Sequence, residues 1–503
     1  MGAMRSQETA LGLEHPLPRN LGRCVLIPGF LSPGECRDLI AAAEDRGFRS
    51  AELDYPPSYR NNDRQVLNDP DLAARLLQRL GSAVTGSIDS LLPDGTSASW
   101  TLHGINERFR LCRYVPGQQF HLHQDGVHHR GADCRSMLTF MIYLTDGADF
   151  EGGDTSFYSA GPSSGEGEAN PVARIRPRIG SLILFDHGIW HAGDEVTAGI
   201  KYVLRSDLLF HRHAEEESDV ATASSHHQGY IWALAELSDG RVASGGRDGK
   251  IRIWHPHGEL STTLEEHSQS VLGLAECRAG VIASVSRDRT LRYWDLSSRR
   301  CIRSVAAHEA AVLSLLRLPG HTLATCGADY TLRLWSAQGQ LQRSWVGHDG
   351  WVWGMASLGE NRLASASEDG SVRIWDLDTH QCLITLRLKH PLRTIGSHRS
   401  DQQDGYFLAA GDAKGGLTLW WIDQGITRKL RFFKAHDAAV RRIRFLRDGS
   451  LASCGEDNRL RVWSAKDLAL VHEQVHGNFV TDVIELHDGT RLSCGYDGKL
   501  HWT

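Results

Sequence analysis

The hydrophobic pattern along this chain changes period twice. Near the start, Cys24-Val25-Leu26-Ile27 is an apolar run broken at Pro28-Gly29, which predicts a short strand. Ser32-Pro33-Gly34-Glu35 then opens a helix, with Ser32 as cap, Pro33 in the first turn and Glu35 three residues past the cap. That helix is predicted to run to Asp45 or Arg46, before Gly47. A second helix is predicted after Asp69-Pro70, because Leu72, Leu76, Leu80, Val84, Ile88 and Leu91 recur at helical spacing as far as Pro93, with Gly81 and Gly86 interrupting. The polar, turn-rich residues 56–64 between the helices read as a loop, a candidate lid with Asn62 and Arg64 as recognition groups. From about Arg108 the period falls to two. Strands are predicted at 108–114, 120–123, 137–144, 172–177, 181–185 and 201–210, with a turn into a strand at 151–158 and a Gly/Ser/Glu-rich loop at 159–170. Many strands with a helical prelude predict a mainly β domain, a double-stranded β-helix (jelly roll) with supporting helices.

The second half repeats itself. The unit is Val242-Ala243-Ser244-Gly245-Gly246-Arg247-Asp248-Gly249-Lys250-Ile251-Arg252-Ile253-Trp254, and its ending recurs at 288–294, 329–335, 369–375 and 457–463. A weaker copy ends at Trp420 with Lys414 in the aspartate position, and the last has Asp497 with Thr503 in the tryptophan position. Tryptophans follow one another at 40, 41, 40, 45 and 43 residues. That period and motif resemble the WD40 signature, and the resemblance implies four strands per repeat. On this count the seventh repeat lacks its outer strand, and residues 219–225 are predicted to supply it, since folds avoid bare sheet edges. The acidic stretch 215–225 divides the chain into domains 1–215 and 216–503, with 216–225 as linker or closing strand.

With 55 basic and 61 acidic residues in 503, the net charge of -6 gives no expectation of a nucleic-acid or anionic-membrane partner. Ten scattered cysteines without a CxxC pair read as small buried hydrophobes in a reducing compartment. The charged first twenty residues and the short apolar runs predict neither a secretory signal nor a membrane span, so a cytoplasmic protein is expected.

The chemistry concentrates in His123-x-Asp125. Residues two apart on a strand share a face, so this imidazole and carboxylate can hold one divalent ion, and a further histidine would complete the 2-His-1-carboxylate set that suits non-haem Fe(II). His191 is the natural third ligand, with His121 and His187 as less favoured rivals. Tyr114 precedes His123 by nine residues, Gly152-Gly153-Asp154-Thr155-Ser156-Phe157 follows it, and Lys201 lies ten beyond His191.

Taken in order, these elements resemble the Fe(II)- and 2-oxoglutarate-dependent dioxygenases, specifically their prolyl 4-hydroxylase-like branch, over roughly residues 22–212. The resemblance implies iron on His123, Asp125 and His191, with 2-oxoglutarate and O2 as co-substrates and ascorbate as a candidate reductant. It further implies that Lys201 meets the 5-carboxylate of 2-oxoglutarate and that Tyr114 and Tyr143 donate hydroxyls to the same molecule. Substrate contacts are less legible; Asn62, Arg64, Arg110 and Trp190 are the candidates, and Arg205 reads as a second anion contact or as a partner of Asp186, Asp194 or Asp207. The repeats resemble the WD40 family and imply a seven-bladed β-propeller with a protein or peptide partner. His267, His308, His348, His436 and His476 recur upstream of successive repeats, and the resemblance implies that they pair with turn aspartates as structural groups. The expected function is hydroxylation of a C–H bond, in a prolyl or other residue of a protein that the propeller recruits. The alternatives are a free amino acid or small metabolite as substrate with an architectural propeller, and a non-catalytic interaction scaffold.

Overall fold

The computed structural model describes residues 13–51, 59–81, 87–91, 97–128, 130, 134–159, 170–212, 227–256, 258–359, 361–400, 403–423 and 426–503. The chain divides into two compact units, Met1–Ser224 and Ser225–Thr503.

In the first unit, helix α1 spans Pro33–Arg46 and starts in a full capping box. The Ser32 hydroxyl accepts from the Glu35 amide at 3.2 Å, and the Glu35 carboxylate accepts from the Ser32 amide at 2.8 Å. Helix α2 spans Pro70–Leu80, with Asp69 accepting from the Leu72 amide, and buries Leu72, Leu76 and Leu80. It ends at Gly81, whose φ of 48° leaves the helical region. The expected continuation through Ile88 and Leu91 is therefore corrected: Ile88–Leu91 is a strand paired with Ser97–Ile105. The four-residue spacing of apolar residues there crosses a helix stop and carries no helix. Likewise the polar stretch read as a loop ends in a strand, Asp63–Asn68, which pairs with Arg108–Tyr114; residues 56–58 of the proposed lid lie outside the described residues.

Among the described residues, nine strands form a major sheet and four a minor one. The strand Lys201–Arg212 is the hub of the major sheet. Its first half pairs with Arg108–Tyr114, its second half with Ser97–Ile105, and Cys134–Tyr143 runs along its other edge. The minor sheet sets Phe120–His123, Trp190–Gly193, Thr155–Tyr158 and Ala173–Ile175 side by side. Strand alternation then sorts side chains into two cores. Tyr202, Leu204, Leu208, Phe140, Ile142, Leu182 and Leu184 pack in one core with the α2 leucines. Val203, Tyr143, Ile183 and Phe185 face the other way and pack with Phe120 and Phe157 of the minor sheet. Both faces are buried, which is why these strands read as apolar runs rather than clean alternations.

Among the described residues, the second unit is six antiparallel sheets of four strands followed by one of three, each sheet resembling a propeller blade. The first is Ile231–Glu236, Val242–Gly246, Lys250–Trp254 and Leu260–Glu265; the last is Val480–Glu485, Arg491–Gly495 and Leu500–Trp502. Thr481 of the last sheet donates to the Ile231 carbonyl of the first at 2.5 Å, and the Leu234 amide of the first donates to Asp482 of the last at 3.1 Å. The segment predicted to close the seventh sheet, 219–225, lies outside the described residues.

Inside five of the sheets the same polar chain recurs. In the second, His267 bonds Asp288 through Nδ1 at 2.7 Å and Ser284 through Nε2 at 2.7 Å, and the Trp294 indole donates to the same serine. His227, His308, His348 and His436 do the same in their own repeats, and all five imidazoles are buried. The pairing implied for His267, His308, His348 and His436 is thus present. His227 escaped notice although it lies 21 residues before its aspartate, as the others do. His476 departs from the expectation. Asp497 bonds His501 at 2.6 Å, and no bond to His476 forms. The reason is local, because His501 stands four residues past the aspartate, where the other five carry arginine. Among the described residues no helix is long and apolar enough to cross a membrane.

Candidate metal centre

His123 and His191 face each other across two antiparallel strands of the minor sheet, in direct register. Their Nδ1 atoms are tied to backbone carbonyls two residues earlier, His123 to His121 at 2.7 Å and His191 to Ile189 at 2.9 Å. Each ring therefore carries its proton on Nδ1 and turns the Nε2 lone pair inward. Asp125 lies just past the end of its strand, where its amide donates to the His187 carbonyl. Its two oxygens stop 3.6 Å from His123 Nε2 and 3.5 Å from His191 Nε2. One ligand atom from each residue lies within 4.8 Å of the other two, and all three side chains are buried. His123 Nε2 has no hydrogen-bond partner. A buried, unpartnered imidazole nitrogen beside a carboxylate fits a divalent ion, and the mixed N/O donor set suits Fe(II).

The carboxylate is held from behind. Thr139 donates to Asp125 Oδ2 at 2.5 Å, and Arg205 forms a salt bridge with Oδ1. His187 bonds Thr139 through Nδ1 at 3.0 Å and Ser136 through Nε2 at 2.9 Å. Burial alone would raise the Asp125 carboxyl, but Arg205 and the two imidazoles outweigh it and hold the group well below the usual carboxylate range. Burial, and then the neighbouring His123, push the His191 imidazole down to about 3. The cluster thus presents two neutral imidazoles and one carboxylate at neutral pH, the forms that ligate metal.

Lys201, Tyr114 and Tyr143 come together on the major sheet. Lys201 is in register with Tyr114, and Val203, two residues on, is in register with Tyr143. The ammonium is buried, lies 5.5 and 5.9 Å from the two ring centres, and donates to the Gly153 carbonyl at 2.6 Å. Gly152 and Gly153 both sit at φ 68°, and a side chain on Gly152 would collide with the Glu195 carbonyl, so this turn demands glycine. Burial lowers the Lys201 ammonium to about 8. The Tyr143 hydroxyl donates to Thr155 at 2.8 Å.

The substrate candidates fare differently. Asn62 and Arg64 are buried, and Asn62 accepts from Arg60 at 2.9 Å. Arg110 is paired with Asp207 at 3.4 Å. Trp190 is half-buried opposite Tyr158 and precedes His191, so it points to the other face of the strand. Arg205 pairs with Asp125, correcting the expectation of Asp186, Asp194 or Asp207; the sheet order, which sequence spacing does not reveal, brings it there. Arg60 went unnoticed in the sequence. It is buried, its guanidinium stands 4.2 Å over Phe120, and Phe120 stacks on His123 with 3.6 Å between ring centres. His121 gives the centre its carbonyl only, and His187 serves as a support.

A buried His-Asp-His cluster between two facing sheets, with a buried lysine opposite, defines the class: a 2-His-1-carboxylate centre of non-haem Fe(II) type. Residues 109–206 match the family model of the 2OG-Fe(II) oxygenase superfamily. Five stretches, 218–255, 258–295, 299–336, 339–376 and 427–464, match the WD domain, G-beta repeat model. The chain carries a 2OG-Fe(II) oxygenase-superfamily domain fused to WD40 repeats that form a propeller-like region. The fifth and seventh repeats, which depart most from the sequence motif, lie outside those matches. Curated relatives include the rat apoptotic protease-activating factor 1, 31% identical over 227 residues, which are 41% of this chain and 17% of that protein. The nuclear distribution protein nudF of Aspergillus niger is 28% identical over 138 residues, 26% of this chain and 30% of the relative. The LST8 homolog of Dictyostelium discoideum is 23% identical over 167 residues, 24% of this chain and 55% of the relative. The chain thus spans 17, 30 and 55% of the length of these three proteins.

Proposed function

We propose that this protein is an Fe(II)- and 2-oxoglutarate-dependent dioxygenase of the prolyl 4-hydroxylase-like branch, which hydroxylates a prolyl or other amino-acid residue in a protein recruited by its WD40 region. The carrying observation is the facing His123–His191 pair with Asp125, set against a buried Lys201. In this reading residues 1–215 form a double-stranded β-helix and residues 216–503 a seven-bladed propeller. Ten free cysteines fit a reducing, cytoplasmic setting.

His123, Asp125 and His191 would hold iron, with Arg205 and Thr139 keeping the carboxylate charged and aimed. Lys201 would exchange its Gly153 contact for the 5-carboxylate of 2-oxoglutarate, a charge-assisted bond in a buried site. Tyr114 and Tyr143 stand beside it to donate hydroxyls to the same molecule. Bound iron and 2-oxoglutarate supply the oxidising power, as O2 is consumed and 2-oxoglutarate is converted to succinate and CO2. No side-chain acid or base is needed for that chemistry; the chain contributes position, fixed charge and exclusion of water. The WD40 repeats support a protein or peptide partner.

The test is anaerobic addition of Fe(II) and 2-oxoglutarate, which should give a weak visible charge-transfer band, followed by succinate on admitting oxygen. Proline-containing peptides should raise succinate output above the basal rate and gain one oxygen atom by mass. Stimulation by free amino acids alone would move the substrate to a small molecule. Neither band nor succinate would leave the WD40 region as the functional part.

A further inference from the structure

In five repeats the imidazole has both nitrogens engaged, at 2.7–2.9 Å, by an aspartate and a serine or threonine. The seventh repeat breaks this pattern at three points. Thr503 replaces the tryptophan, His501 replaces the arginine, and Asp497 is drawn to His501. His476 is left 95% buried, with Nδ1 unpartnered and Nε2 only 3.2 Å from Ser493. Its ring centre lies 4.3 Å from that of His501. One ligand atom from each of His476, Asp497 and His501 lies within 4.8 Å of the other two, the same limit that the oxygenase triad meets.

We propose that His476, Asp497 and His501 form a second metal site, taking a divalent transition ion of the zinc class. Two imidazoles and one carboxylate are a three-ligand zinc set, with water as the fourth ligand. His476 lies in the connection entering the last sheet, whereas Asp497 and His501 lie at and after the turn into the strand Leu500–Trp502. An ion would tie that strand to the connection, replacing the histidine–aspartate bond and tryptophan anchor that hold five of the other repeats. Binding would displace the His501–Asp497 hydrogen bond, leaving the ligating nitrogen of the neutral imidazole without a proton and the other nitrogen with it.

The experiment is zinc titration of the tag-free full chain, with bound metal counted after gel filtration. Wild type should retain two equivalents, one at each cluster. His191→Ala should retain one, His501→Arg one, and the double variant none. Arginine is the residue that Arg252, Arg292, Arg333, Arg373 and Arg461 provide at this position, so His501→Arg should fold. If its circular dichroism shows otherwise, Asp497→Asn gives the same count. Cobalt(II) in the His191→Ala background should show visible d–d bands that His501→Arg abolishes. A single equivalent in wild type that His501→Arg leaves in place, or zinc and cobalt signals unchanged by both His501→Arg and Asp497→Asn, would overturn the proposal.

Discussion

In the oxygenase cluster, His123 and His191 give Nδ1 to backbone carbonyls, and their Nε2 atoms stop 3.6 and 3.5 Å short of Asp125. In the third repeat, His308 gives Nδ1 to Asp329 at 2.9 Å and Nε2 to Thr325 at 2.8 Å. The residue types are the same and the burial is the same. What differs is whether a nitrogen is left over. A histidine closed on both sides is an internal strut, and one held by a single nitrogen beside an unbonded carboxylate is a ligand in waiting. Composition cannot tell these apart in a chain with 26 histidines; the partner of each nitrogen can.

The largest expected effect falls on the open side of this contrast. His191→Ala should abolish succinate formation while leaving the melting of the repeats unchanged, as a two-phase calorimetric scan would show. If both change together, the two units are not separable in stability. Next, Lys201→Ala removes a buried cation, worth about 2 kcal/mol or more, so the KM for 2-oxoglutarate should rise about 30-fold or more. The same lysine predicts a pH effect. Its ammonium, lowered to about 8, is charged below that pH and neutral above it. The KM should therefore be flat below pH 8 and climb above it, and Lys201→Arg should remove the climb. Thr139→Val keeps the shape but withdraws the bond to Asp125, and iron affinity should fall about 10- to 100-fold, measured by competition with a chelator.

The closed side should respond in stability alone. Ser284→Ala leaves His267 Nε2 and the Trp294 indole unpartnered in a buried site, a loss of about 1–3 kcal/mol read by urea unfolding. Succinate output should not move. The smallest effect is in acid. Burial would raise the Asp329 carboxyl, but the His308 bond outweighs it and brings the group down to about 2. Its stabilising contribution is complete above the unfolded value near ~4 and is lost as pH falls towards 2. The urea midpoint should drop across that window, and less steeply in Asp329→Asn.

The features legible in the sequence were those fixed by short spacing. His123-x-Asp125, the lysine ten residues past His191, the capping box at Ser32 and the recurring Asp-to-Trp endings all depend on spacings of two, ten, three or about forty residues. What escaped was fixed by pairing across distance. Arg205 reaches Asp125 because sheet order brings its strand to the site, and Arg60 enters from a connection that reads as plain loop. The false helix through Ile88 arose because apolar spacing continued past Gly81, where the backbone had already turned away. His476 was misread because a pairing that holds for His267, His308, His348 and His436 was extended to a fifth histidine, whose aspartate had found another partner.

The position of the strand Lys201–Arg212 has a consequence for synthesis. Among the described residues it is the last strand of its unit in the chain, yet it lies in the middle of the major sheet, flanked on both sides by segments made earlier. A nascent chain that has left the ribosome only as far as residue 200 has all three triad residues but no hub to join the two halves of the sheet. The major sheet therefore cannot be completed during translation until that strand has emerged. A ribosome adding ~5–20 residues per second holds the earlier strands unmatched for many seconds. Lys201 and Arg205, the two cations of the site, thus arrive only with this strand, after all three triad residues have been made.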